Sequence, residues 1–250
     1  MKKKLFWAAI IVELIFSLSL QADETLLIYT NNYEPYYGKD LDDFGPVIEI
    51  TRQAFKAVGY DTEVHFRPWA RVIQEGQNGD CDVIAGVWFN TGREDWMALS
   101  DGMLMNEIGF YKRKDDDLVF MDYNDLGVKN IVIGTVRGYI SPDGFNQAGL
   151  MTEEVTEDIL NLKKLVNHRI RLALVDKQLG AYLFKKHLPK NDIEWLTTLQ
   201  KIPLRNGIIK TAKGNWKKRR DDFNTGLTML KNQGVVKQIL EKHGLMNSDY

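Results

Sequence analysis

The residues best suited to binding chemistry lie in the run DVIAGVWFNTGREDW, residues 82–96. A short apolar strand over 83–87 is expected to end there and turn into a helix. Thr91, with Glu94 three residues on, fits a capping box and would cap that helix. A helix start offers free N–H groups and the positive end of its dipole. Arg93 adds a guanidinium whose planar donor fork suits a carboxylate. The combination predicts an anion-binding corner for the carboxylate of a small ligand.

Other loops are expected to leave strand ends, the usual place for ligands in open α/β sheets. One carries Tyr33, Tyr36 and Tyr37, which read singly as loop packing and together as a cleft wall. Trp88 stands at the end of the central strand, and the loop 135–139 brings Arg137, Gly138 and Tyr139. Asp176 directly follows a strand and opens a helix. It reads as a helix cap or a ligand acceptor, and a carboxylate has acceptor sites for both. Trp69 and Trp96 read as core.

Catalytic and metal patterns are absent from the sequence. There is no Ser/His/Asp constellation, paired-carboxylate motif or phosphate loop, and His65, His168, His187 and His243 share no ligand spacing. The reading is therefore a binding protein, not an enzyme, with no cofactor and no metal. The basic run 217–220 is followed at once by Asp221 and Asp222 and reads as a solvated helix face.

These loops need a scaffold of strands and helices. Strands are expected over 26–30, 62–66, 83–87 and 106–112, with helices over 47–58 and 68–77 between them. The order β-α-β-α-β predicts an open parallel sheet. The loop 31–43 is expected to be irregular and to face the surface. After the polar break 114–117 the pattern restarts, with strands over 131–136, 172–175 and 193–196 and helices over 157–167 and 176–186. A strand over 208–210 and helices over 222–230 and 235–243 close the chain. A chain that begins and ends in one lobe and visits another makes two crossovers and a cleft. The expected lobes are 23–112 plus 205–250, and 113–204.

The 250 residues carry a formal net charge of -1, so no strong electrostatic pull toward nucleic acid is expected. The single cysteine, Cys81, excludes an internal disulfide. Residues 1–22 read as a signal peptide: Lys2, Lys3 and Lys4 precede an apolar run over 5–20, with cleavage expected after Ala22. An uncleaved anchor is the rival, though the run is short for a span and contains Glu13. The mature protein is expected to be periplasmic.

Several short motifs recur in a fixed order: Tyr33-Glu34-Pro35-Tyr36, Arg67-Pro68-Trp69-Ala70-Arg71, Gly79-Asp80-Cys81-Asp82-Val83 and Thr91-Gly92-Arg93-Glu94. Gly134-Thr135-Val136-Arg137-Gly138-Tyr139 and Leu174-Val175-Asp176 follow. Over about residues 25–245 the chain resembles bacterial extracellular solute-binding proteins of family 3, the polar amino-acid type associated with ABC transporters. The resemblance implies an α/β two-lobed periplasmic-binding-protein clamp of type II with two hinge crossovers. It implies that Arg93 pairs with a ligand α-carboxylate and that the loop at Arg137, Gly138 and Tyr139 adds backbone N–H donors. Asp176 would receive the α-amino group, and Tyr33 and Trp88 would wall the side-chain pocket. The implied partners are an amino-acid-like small molecule and an ABC permease in the inner membrane; the chain would act as a monomer.

A stand-alone sensor or orphan binder, and less favourably a dehydratase-like enzyme, remain alternative uses of that clamp. Only Gly92 separates Thr91 from Arg93 where the family usually has two residues, Arg171 stands where an aspartate is common, and Pro46 and Glu49 depart from the usual helix start. Arg71, Arg137 and Arg171 together suggest an acidic ligand.

Overall fold

A computed structural model describes residues 24–89, 91–188 and 192–245, so the signal-peptide reading of 1–22 lies outside the described residues. Strands β1 (Glu24–Thr30), β2 (Tyr60–Phe66) and β3 (Val83–Val87) run parallel, with β1 in the middle. The connections are helices α1 (Pro46–Lys56) and α2 (Trp69–Asn78). Helix α1 turns Val47, Ile50, Ala54 and Phe55 inward at helical spacing, and all are fully buried.

Strand β5 (Leu104–Arg113) leads into the second half of the sheet. That half contains α3 (Tyr123–Val128), β6 (Ile133–Val136), β7 (Thr152–Val155), α4 (Asp158–Val166), β8 (Leu172–Asp176) and α5 (Lys177–His187). Strand β9 (Ile193–Ile209) then runs back, and α6 (Trp216–Asn232) and α7 (Val235–Lys242) pack on the first half. The strand order is β2-β1-β3-β9-β5-β8-β6-β7. The architecture is thus an α/β clamp of two lobes, with β5 and β9 lying antiparallel as the crossovers between them.

Several sequence expectations are corrected. No helix follows Arg93: Thr91–Arg93 is a single 3-10 turn, and β4 (Met97–Leu99) comes next. Trp96, Met97 and Ala98 are buried in succession, and Met97, Ala98 and Leu99 pair antiparallel with Ile209, Ile208 and Gly207 of β9. Sheet pairing beats the local capping signal, and Thr91 stays exposed, its carbonyl accepting from Glu94 N at 3.3 Å. The strands expected over 193–196 and 208–210 are one strand. Polar Thr197, Thr198, Gln200 and Lys201 break the apolar pattern, but pairing with β5 carries the strand through them. The loop after β1 faces outward only in part: Asn32, Lys39, Asp40, Asp42 and Asp43 are exposed, but Tyr33, Tyr36 and Tyr37 are all buried. Nor is the 217–220 run wholly a solvated face: Arg219 is buried and ion-pairs with Asp82 at 2.8 Å and with Glu24.

Two glycines permit close backbone approaches that build the clamp. At Gly226 a Cβ atom would lie 2.0 Å from the Ala54 carbonyl, so α6 rests directly on α1. Gly86 sits at the bulge of β3 with φ +76°, and a Cβ there would lie 2.4 Å from the Tyr37 ring. The Gly86→Ala substitution therefore meets both a left-handed backbone and an occupied space. It is expected to destabilise the fold by about 2–4 kcal/mol. Urea unfolding measures this, and a loss below about 0.5 kcal/mol would contradict the packing described.

Candidate functional site

The cleft wall begins where β1 ends. The chain folds back on itself at Tyr33, whose N–H donates to the Tyr37 carbonyl at 2.7 Å. This stacks the Tyr33 ring against Tyr36 and Tyr37, with centroids 5.9 and 5.5 Å away. Tyr33 also meets Trp88 edge-on at 6.2 Å and Tyr139 of the other lobe at 6.1 Å. Offset and edge-on rings at these separations attract beyond their buried area, so the lobes meet through a cohesive aromatic seam.

A polar thread runs through this seam. Trp88 Nε1 donates to Asn106 Oδ1 at 3.1 Å, and Asn106 Nδ2 donates to Asp176 Oδ2 at 2.9 Å. The Tyr36 hydroxyl reaches the same carboxylate oxygen at 3.3 Å from the opposite lobe. Asp176 Oδ1 accepts from Leu179 N at 2.8 Å, which caps α5. Asp176 is therefore a helix cap that also faces the seam.

Arg93 reaches the seam without its expected helix. Its guanidinium lies over the Trp69 ring at 5.6 Å, and Nη2 donates to the Gly138 carbonyl at 3.2 Å. Trp69 Nε1 donates to that carbonyl too, at 3.1 Å. Arg93 has no ion pair among the described residues, and burial alone lowers its pKa.

Two small cavities of about 20 Å³ each flank the seam, room for water only. Arg93 lines one and Asp176 the other, and they share Tyr33, Trp88, Tyr139 and Ile140 as walls. A groove of about 640 Å³ opens on the far side of Tyr139, with Asn31 and Asp158 in its lining. Asp158 opens α4, is 7% exposed, and accepts from the Tyr139 hydroxyl at 3.0 Å.

Of the residues singled out in the sequence, Arg93, Trp88, Tyr33, Tyr36, Tyr139 and Asp176 meet at this seam. Gly138 meets it through its carbonyl, not its N–H. The Arg137 and Tyr139 N–H groups are already bonded to Val155 and Val136, and the exposed Arg137 side chain pairs with Glu154 at 3.5 Å. Arg71 pairs with Glu75 at 2.6 Å, and Arg171 is bound to Asp116. All three arginines thus have their own carboxylates, and the basis for an acidic ligand is lost. Trp69, read as core, is a cleft residue. Tyr37, read with Tyr33 and Tyr36 as a cleft wall, lines the Arg93 cavity; Asn31, Asn106 and Asp158 were not singled out as site residues. No local signal marked Asn106, which shares its strand with Glu107, Lys112 and Arg113.

Burial pushes both Asp158 and Asp176 up to about 7, against the hydrogen bonds each accepts, and repulsion from Asp176 raises Asp158 further. Carboxyls of an unfolded chain ionise near 4. The folded protein therefore holds extra protons between those values, so this contribution to stability is present below about pH 4 and is lost as pH rises through 7. The ligand-free protein is expected to melt at a lower temperature at pH 8.5 than at pH 5.5, by about 2–4 °C for each kcal/mol lost. Scanning calorimetry measures this, and a melting temperature that rises over that interval would contradict it.

A profile of the bacterial extracellular solute-binding proteins, family 3, matches residues 27–246. No curated protein matches the chain in sequence. Among solved structures, the substrate-binding protein of an amino acid ABC transporter is 17% identical, with 87% of this chain and 98% of that one covered at a TM-score of 0.73. The GluR0 ligand-binding core of Nostoc punctiforme, in complex with L-glutamate, is 16% identical over 88% and 99% of the two chains, with a TM-score of 0.73. A histidine kinase sensor domain similar to periplasmic binding proteins is 16% identical over 88% and 96%, with a TM-score of 0.74. Structures this distant in sequence share the fold; with the profile spanning nearly all of the described residues, the chain belongs to the bacterial extracellular solute-binding proteins of family 3.

Proposed function

We propose that the protein is a periplasmic solute-binding protein that captures an amino-acid-like molecule between its lobes and delivers it to an ABC permease. The observation that carries this reading is the placement of opposite charges. Arg93 on one lobe and Asp176 on the other line adjacent cavities with shared aromatic walls, and neither has an ion-pair partner among the described residues. A zwitterion would satisfy both, with its carboxylate on Arg93 and its ammonium group on Asp176. Tyr33, Tyr36 and Trp88 would exclude water around it.

Two small cavities cannot hold such a molecule, so binding would require the lobes to part and close again. The crossovers β5 and β9 are the segments that would bend. A ligand that touches both lobes binds the closed state better than the open one, which drives closure. The similarity to the binding component of an amino acid ABC transporter supports this role, and the family assignment supports a periplasmic location. No catalytic step is assigned, and the proposed working form is a monomer.

Mass spectrometry of the small molecule that copurifies with the protein identifies the solute. Arg93→Ala and Asp176→Asn are each expected to weaken its binding by about 2–5 kcal/mol, about 30-fold or more. Asparagine keeps an oxygen for the helix cap, so the second variant should still fold. The site assignment fails if both variants bind that molecule as tightly as the parent.

A further inference from the structure

The groove behind Tyr139 holds more acidic character than the proposed zwitterion accounts for. Asp158 is buried, and among the described residues its one side-chain hydrogen-bond partner is the Tyr139 hydroxyl at 3.0 Å. It forms no ion pair among the described residues. Asn31, 9% exposed, lines the same groove and the Arg93 cavity, and its Oδ1 atom has no hydrogen-bond partner among the described residues. The Tyr33 hydroxyl is also buried, without a hydrogen-bond partner among the described residues. A carboxylate and an orphan amide oxygen both ask for N–H donors, and both would be satisfied by a cationic nitrogen.

The basic residues nearby do not supply it. Arg67 is engaged by the Phe66 carbonyl at 3.2 Å and by Glu75 at 3.7 Å. Lys39 and Lys163 are exposed on the groove rim, which also carries Glu34 and Glu157. The groove is also the one space of the three that could hold a ligand side chain with the lobes in contact.

We propose that the solute carries a second cationic group, held in this groove by Asp158 and Asn31 Oδ1, so that it is an amino acid with a basic side chain. This rests on the reading of Arg93 and Asp176 as the zwitterion site. Tyr139 would be the positioning residue: its ring walls both small cavities and its hydroxyl fixes the Asp158 carboxylate. The charges then match one to one. Arg93 takes the carboxylate, Asp176 the α-ammonium and Asp158 the side-chain cation.

Isothermal titration with matched probes tests this. L-arginine is compared with L-citrulline, and L-lysine with L-norleucine, pairs that differ mainly in the side-chain charge. At least one basic member is expected to bind about 30-fold or more tightly than its neutral partner. Asp158→Asn should remove most of that ratio while leaving the neutral partner within about 3-fold of its parent value. Tyr139→Phe should narrow the ratio as well, and it tests the idea should the first variant not fold. Equal binding of charged and neutral partners overturns the inference but leaves the zwitterion site standing, provided the binding still depends on Arg93. An Asp158→Asn variant that weakens both members equally assigns a merely structural role and also overturns it. Failure of every amino acid in a full panel to bind overturns the zwitterion reading together with this one.

Discussion

The structure turns on charge held without countercharge at the seam between the lobes. Asp176 and Asp158 stand at the starts of neighbouring helices of one lobe, and Arg93 faces them from the other. Taking an ionised group out of water costs several kcal/mol, and a close partner normally offsets it. Here Tyr36, Asn106 and Tyr139 supply hydrogen bonds to the carboxylates, but none supplies a positive charge. The Gly138 carbonyl and the Trp69 face do the same for Arg93, without a negative one. The groups are therefore oriented and only partly satisfied, as in a site prepared for something that carries the missing charges.

The fold explains how such groups reach one place. Parallel strands β1 and β3 send their chain ends toward the same edge, which brings the tyrosine loop and Trp88 together. Strand β8 ends on the same side of the second lobe and delivers Asp176. Asn106 lies on the crossover β5 and touches both, bonding Trp88 of one lobe and Asp176 of the other. Because that residue sits on a segment shared by the lobes, any bending there would alter the hold on Asp176. The positive φ of Gly86 is needed for the same geometry, since it leaves the space in which Tyr37 packs and bonds the Gly86 carbonyl at 3.0 Å.

Much of this scaffold is legible in the sequence, because β3 and β8 are short continuous apolar runs, β1 alternates and α1 carries helical periodicity. The turn at Thr91 was not legible. Its capping box is a genuine local preference, but the few residues available before β4 pairs with β9 leave no room for a helix. Asp158 was missed for a different reason. An acidic residue in the first turn of a helix has an ordinary role in balancing the dipole, and nothing local distinguishes an exposed one from a buried one. Its burial comes from Tyr139 and the other lobe, which is information of the assembled fold.

The same consideration decides which direction the cleft selects. Counted along the sequence, Arg71, Arg137 and Arg171 make the region look basic, and the natural ligand of a basic region is an acid. Counted by pairing, the order reverses, because each of those arginines is spent on Glu75, Glu154 or Asp116. Among the described residues that meet behind the exposed rim, Arg93, Asp158 and Asp176 are the charged groups without an ion pair. A molecule with no net preference for the closed arrangement shifts no population toward it, however many contacts it makes. Closure is rewarded only by groups that neutralise what the closed lobes leave bare. On the proposed reading, selectivity in this clamp would be governed by the unpaired charges at the seam, not by the total charge around the cleft.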